Sequence, residues 1–221
     1  MASIQATLIW KRLLLEGYKF VTSDRIKDLA REFGKNEDRS LRYLQEHGYT
    51  LRVLRGVFYV MSPEEIEQGY HKYSIYEMVS EALSVKGVKN WYFGLESALK
   101  MNRMTHEFFT VECVITDSFR TTKTIGILDT RFVFTKWMLG SGPAPWKVKL
   151  ITDHGCAIFH SDKERTVLDL SYRAYLERGG LERTIAPIVE YGDRLDKDKA
   201  AGYLTSYPPK FREMIAVGQV L

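Results

Sequence analysis

Between Thr22 and Met61 the chain shows helical periodicity twice and then switches to alternation, an order that few folds accommodate. Ser23 to Phe33 places Ile26, Leu29, Ala30 and Phe33 on one helical face, with Thr22 or Ser23 as cap and Gly34 as stop. Asn36 to His47 repeats the pattern with Leu41 and Leu44 inward, and Gly48 ends it. From Thr50 to Met61, Leu51 and Val53, then Val57 and Tyr59, alternate about a turn at Arg55-Gly56. Upstream, Ile4 to Gly17 reads as another helix with Ile4, Leu8, Leu13, Leu14 and Leu15 on a broad apolar face. Helix, turn, helix and a two-stranded hairpin is the layout of a winged helix-turn-helix, a module that reads DNA.

The charge distribution agrees with this layout. Residues 1–60 carry 11 Lys+Arg against 7 Asp+Glu, while residues 61–221 carry 21 of each, so the whole net charge of +4 lies in the first segment. A localised positive excess suits phosphate binding. On the second of the two helices, Arg39, Arg42, Tyr43 and Glu46 fall at i, i+3, i+4 and i+7, opposite Leu41 and Leu44. Arg39 and Arg42 are therefore expected to reach base edges or phosphates. Asn36 and Ser40 lie near the helix start, where first-turn groups meet DNA, and Lys35 precedes it. Arg52 and Arg55 belong to the wing. The bland reading of the same residues is a solvated basic face, and Glu37, Asp38 and Glu46 dilute its charge.

The remainder divides at Met61. Ser62-Pro63-Glu64-Glu65 opens a helix, with a capping serine, proline at the first helical position and glutamate at the third. A connecting helix is expected over 62–86, interrupted near Gly69. Residues 87–221 then form an α+β domain. Its β-rich runs are Phe108 to Thr116, Thr121 to Leu128, Arg131 to Lys136, Lys147 to Thr152 and Cys156 to His160. Gly140-Ser141-Gly142-Pro143 reads as a turn between two of them. The expected sheet is antiparallel, with helices segregated from it. Ser161-Asp162-Lys163-Glu164 reads as a second capping box, opening a helix to Arg178.

Other chemistry is sparse. Cys113 and Cys156 read as buried free thiols, and no metal site or cofactor is expected. Asp153, His154, His160 and Asp162 match no ligand spacing and suit turns and caps. Glu112, Asp117 and Asp129 offer carboxylates for acid–base work, but Asp117 and Asp129 suit hairpin turns, so no catalytic residue is assigned. Arg120, Lys123, Arg131, Lys136, Lys147 and Lys149 fall on successive strand-like runs, so a second basic surface on the sheet is expected alongside the bland reading of scattered exposed cations. With no apolar run of membrane-spanning length and no signal-peptide pattern, the expected location is the cytoplasm.

The order of these features resembles the AbiEi-type antitoxins. Its most specific pieces are Tyr92-Phe93-Gly94-Leu95-Glu96-Ser97-Ala98-Leu99 and Glu164-Arg165-Thr166-Val167-Leu168-Asp169-Leu170. The resemblance implies an autorepressor that reads promoter inverted repeats in double-stranded DNA, two copies per operator. It also implies a type IV antitoxin domain over 87–221 that counters a nucleotidyltransferase-like toxin without a stable complex. The DNA role then falls on Lys35, Asn36, Arg39, Ser40, Arg42, Tyr43, Arg52 and Arg55. The alternatives are a winged helix that binds its toxin or another protein directly, and a plain transcription factor.

Overall fold

The computed structural model describes residues 2–137 and 144–218, with residues 2–6 as backbone only. The expected turn at Gly140 to Pro143 and the side chain of Ile4 lie outside these residues. The fold is mixed α+β. It divides into one unit of Met1–Lys89 with Ile151–Ala157, and a second of Asn90–Leu150 with Ile158–Leu221.

The first unit begins α1 (Ala2–Leu15), β1 (Phe20–Thr22), α2 (Ser23–Glu32), α3 (Glu37–Glu46), β2 (Thr50–Leu54) and β3 (Val57–Val60). The three strands form an antiparallel sheet in the order β1-β3-β2. Strand β1 was not expected from the sequence. Ile9, Trp10 and Leu13 of α1, Ile26, Leu29 and Ala30 of α2 and Leu44 of α3 close over Val21, Phe58 and Val60. The indole N–H of Trp10 donates to the Met61 carbonyl at 2.8 Å, tying the first helix to the end of the last strand. Phe33 does not join this core. It caps α2 at its C-terminus and is 37% exposed.

The expected connecting helix is two helices, α4 (Pro63–Gln68) and α5 (Ile75–Val85). Gly69 ends α4 in the left-handed conformation, at φ 68°. Ser62 and Ser74 each head a reciprocal capping box, with Glu65 and Glu77. Helix α5 packs on all three strands, so β3 is buried along its whole length. Phe20, Tyr59 and Tyr73 gather there, with ring centroids 5.1 to 5.5 Å apart. Both box glutamates are buried and hold more than their caps. Glu65 accepts from the Tyr59 hydroxyl and from the Lys72 amide at 2.8 Å. Glu77 lies 3.0 Å from His154 Nδ1, and Ser80 donates to the Ala157 carbonyl at 2.6 Å. His154 also stacks on Tyr73, at 4.7 Å. These contacts place Ile151–Ala157 in the first unit.

The second unit is built from β4 (Trp91–Phe93), α6 (Leu95–Met101), β5 (Val111–Thr116), β6 (Ile125–Ile127), β7 (Thr130–Lys136), β8 (Lys147–Ile151) and β9 (Ala157–Ser161). Helices α7 (Lys163–Leu176), α8 (Gly180–Tyr191), α9 (Lys197–Leu204) and α10 (Pro209–Gly218) follow, with a 3-10 turn at Gly192–Arg194 between α8 and α9. The expected antiparallel sheet is instead mixed, in the order β6-β7-β5-β4-β9-β8. Strands β5 and β7 are parallel, as are β4 and β9. Alternation reveals which face a residue takes but not which way a neighbour runs. Here β6 pairs back on β7 as the outer arm of a hairpin, and β7 returns beside β5 running the same way. Tyr92, Cys113 and Ile115 of the sheet meet Leu99 of α6, Val167 and Leu168 of α7, and Phe211 and Ile215 of α10.

A charged network runs through this core. Asp169 is fully buried and accepts from the hydroxyls of Tyr92 at 2.8 Å and Tyr207 at 2.5 Å. Arg165 Nε lies 2.9 Å from the same carboxylate. Its guanidinium sits 4.5 Å from the Trp146 ring and 4.6 Å from that of Tyr207. Burial pushes the Asp169 carboxyl above its ordinary range, while Arg165 and the two hydroxyls pull it back. The cap of α7 is Asp162, which accepts from the Arg165 amide at 2.9 Å. The helix therefore starts one residue later than expected and has a single side-chain cap rather than the expected box from Ser161, and Glu164 instead binds Lys199 at 3.0 Å and the Asp196 amide.

Asp169→Asn leaves the Arg165 guanidinium buried without a counter-charge, and is expected to cost about 3–5 kcal/mol in urea unfolding. Glu77 gives a pH signature. Burial pushes its carboxyl up, but hydrogen bonds from Thr152, Ser74 and His154 outweigh that and bring it down to about 2 from 4.5. A carboxyl held below its unfolded value contributes stability above pH 4.5, and that contribution is lost as pH falls toward 2. Glu77→Gln should cost about 2–3 kcal/mol at pH 7. Its deficit relative to the natural protein should shrink in thermal melts between pH 4.5 and pH 2.

Candidate nucleic-acid interface

Helix α3 is set by its turn, its cap and one buried leucine. Gly34 adopts φ 64° after α2, and the Lys35 amide donates back to the Ala30 carbonyl at 2.7 Å. The Asn36 side-chain oxygen accepts from the Arg39 amide at 2.9 Å, which is its capping role. Leu44 is fully buried, so the opposite face is outward. Arg39, Arg42 and Glu46 are exposed on it. Tyr43 is half-buried and stacks on His47 at 3.8 Å, with Tyr49 beyond. Ser40 departs from expectation. It lies one helical turn before Leu44, on the inward side, and is 5% exposed, so it does not belong to the outer face. That spacing was visible in the sequence.

The hairpin presents the other two arginines. Register shifts between Arg52 and Leu54, so Val53 and Leu54 are both buried while Arg52 stays exposed. Gly56 takes φ 78° at the turn beside exposed Arg55. The turn is clamped on both sides. The Ser23 amide donates to the Gly56 carbonyl, and Lys86 Nζ donates to the Arg55 carbonyl, each at 2.9 Å. Sequence reading missed Lys86, which has no local signal because its partner lies 31 positions away.

Pairing of charge separates two groups of cations. Arg25 grips Glu16 through two contacts of 2.8 Å, and Arg12 holds the same carboxylate at 2.7 Å. Lys27 pairs with Asp38 at 3.0 Å. Arg31 pairs with Asp28, and with Glu37 at 3.1 Å. Among the described residues, no ion pair involves Lys35, Arg39, Arg42, Arg52 or Arg55, nor Lys11 or Lys19. Unpaired cations therefore gather at α3 and the hairpin, with Lys11 of α1 and Lys19 before β1 also unpaired, while the cations of α2 are compensated. Glu37 and Asp38, which dilute the charge of α3 in the sequence, are themselves engaged by α2.

The six cations of the second unit do not form one face. Arg120 and Lys123 lie in the segment between β5 and β6, and Arg131 and Lys136 lie on β7. An odd and an even position on one strand point to opposite sides. Lys147 and Lys149 lie on β8, at the far edge of the sheet from β7, with β5, β4 and β9 between. Lys147 is half-buried over the Phe159 ring at 4.3 Å, and burial lowers its pKa. The expectation of successive strands failed because chain order is not sheet order.

His154 serves Glu77, and His160 is buried with Nδ1 2.9 Å from the Ser161 carbonyl. Glu112 is buried beside Ser97 and Lys100, while Asp117 accepts from the Asn90 amide group at 2.7 Å. Among the described residues, no His, Cys, Asp and Glu are grouped to hold a metal ion, and both cysteines are buried free thiols. Nor is any described helix long and apolar enough to cross a membrane. Comparison with protein-family models finds no match, and comparison with curated proteins finds none.

The cap of α3 makes its own prediction. Asn36→Ala is expected to cost about 1 kcal/mol in denaturant unfolding, while Asn36→Asp, which keeps the acceptor, should stay close to the natural protein.

Proposed function

We propose that the first unit is a winged helix-turn-helix that binds double-stranded DNA, with α3 in the major groove and the β2–β3 hairpin as its wing. The observation that carries this reading is the segregation of charge. Among the described residues, Lys35 before α3, Arg39 and Arg42 on it, and Arg52 and Arg55 on the hairpin form no ion pair, while the cations of α2 are paired and Glu46 is the acid left on the outward face of α3. Uncompensated cations on an outward helix face suit phosphate neutralisation and bidentate base contact. Tyr43 supports that face through its stack on His47.

The resemblance to AbiEi-type antitoxins supports the wider role. In this reading the chain is a cytoplasmic autorepressor of its own operon and a type IV antitoxin, not an enzyme. Two copies occupy the promoter inverted repeats. The second unit counters a nucleotidyltransferase-like toxin without a lasting complex. Most polar groups of the two shared segments are committed inside the fold: Tyr92 to Asp169, Ser97 to Glu112, Glu164 to Lys199. The surface that counters the toxin then lies elsewhere on that unit.

In a bandshift on the DNA upstream of its own gene, affinity is expected to fall steeply as salt rises. Arg39→Ala and Arg42→Ala should each weaken binding by about 1–3 kcal/mol. Unchanged affinity in both variants would sink the assignment of α3. Co-elution of a stoichiometric toxin complex would favour direct protein binding instead.

A further inference from the structure

The acids at the start of α3 stand where a DNA-binding helix should least tolerate them. Glu37 and Asp38 occupy its first turn, and the Asp38 side chain is 79% exposed. Their presence has a local cause, because carboxylates favour the positive end of a helix. That same end is where a phosphate approaches, and an open carboxylate there would repel it. Both acids are met by cations from the preceding helix. Lys27 and Arg31 are one helical turn apart on α2, and so share a face of it. Lys27 Nζ lies 3.0 Å from Asp38, and Arg31 Nε lies 3.1 Å from Glu37. Both pairs join α2 to α3, and neither is repeated by any ion pair to Lys35, Arg39 or Arg42 among the described residues. All four side chains reach solvent, and exposed pairs of this kind contribute little to stability.

We propose that Lys27 and Arg31, the latter shared with Asp28, are positioning residues for DNA binding that need not touch DNA: they offset Asp38 and Glu37, so that Arg39 and Arg42 of α3 present their positive charge to the phosphate backbone. This deepens the DNA-binding reading and rests on it. At about 0.1 M salt the screening length is roughly 10 Å, so a carboxylate in the first turn acts on a phosphate beside that turn. Each unmasked acid is expected to weaken binding about threefold, and both together about tenfold.

The test is fluorescence anisotropy of the full chain with a labelled duplex of the DNA upstream of its own gene, at about 0.1 M salt. Lys27→Gln with Arg31→Gln should weaken binding about tenfold. Adding Glu37→Gln and Asp38→Asn to that variant should restore affinity to within about twofold, with the salt dependence of the natural protein. Thermal melts of the natural protein and the double variant should agree closely, and the fourfold variant should lose only the small share of its two first-turn acids. A fourfold variant as weak as the double variant would overturn the proposal, since Lys27 and Arg31 would then touch DNA or merely brace the helix. A double variant that binds like the natural protein would overturn it as well. Arg39→Ala, run alongside, reports on the reading beneath. If the natural protein fails to bind, or if Arg39→Ala binds equally well, the assignment of α3 falls, whatever the fourfold variant does.

Discussion

A carboxylate that water cannot reach must find its partners inside the protein, and in the second unit Asp169 imposes that demand. It draws in Tyr92 from β4, Arg165 from its own helix and Tyr207 from the segment before α10. Arg165 in turn needs company, and finds two aromatic faces. Next to it, Asp162 and Glu164 converge on Lys199 of α9. The run from Glu164 to Asp169 is thus a device for gathering elements that lie far apart in the chain. Breaking one link strands a charge in a low-dielectric interior, which is more costly than never having placed it there. The first unit uses a milder version. Glu65 and Glu77 cap their own helices and, with their remaining acceptor capacity, hold a loop or a hairpin tip.

Much of the first unit could be read from the sequence because its determinants are local. Thr22, Asn36 and Ser62 cap helices at the positions their chemistry favours, and Gly34 and Gly56 turn the chain where positive φ is required. Local rules stop where pairing is distant. Strand β1 is only three residues long, and its evidence is a register with Val57 to Tyr59. The parallel pairings of β5 with β7 and of β4 with β9 leave no trace in alternation. The candidate site was legible in the same measure. Helical spacing alone puts Arg39 and Arg42 outward, whereas Ser40 is near the helix start but shares the inward face of Leu44.

Composition places a positive excess in the first 60 residues but cannot say which charges remain open. That depends on which side chains meet. Glu16 absorbs Arg12 and Arg25, and Asp28, Glu37 and Asp38 absorb Arg31 and Lys27. What is left includes the cations of the helix and hairpin singled out by periodicity, together with Lys11 and Lys19. Two independent routes, spacing and pairing, thus both lead to Arg39 and Arg42.

The segment Ile151–Ala157 carries a consequence for how the protein is made. It is part of the first unit, yet more than 60 residues of the second precede it in the chain. During synthesis, which runs from the N-terminus at about 5–20 residues per second, Glu77 and Ser80 emerge several seconds before His154 and Ala157. The N-terminal unit therefore cannot finish folding as a nascent chain until much of its successor has left the ribosome. For this protein, the order of translation is not the order in which units are completed.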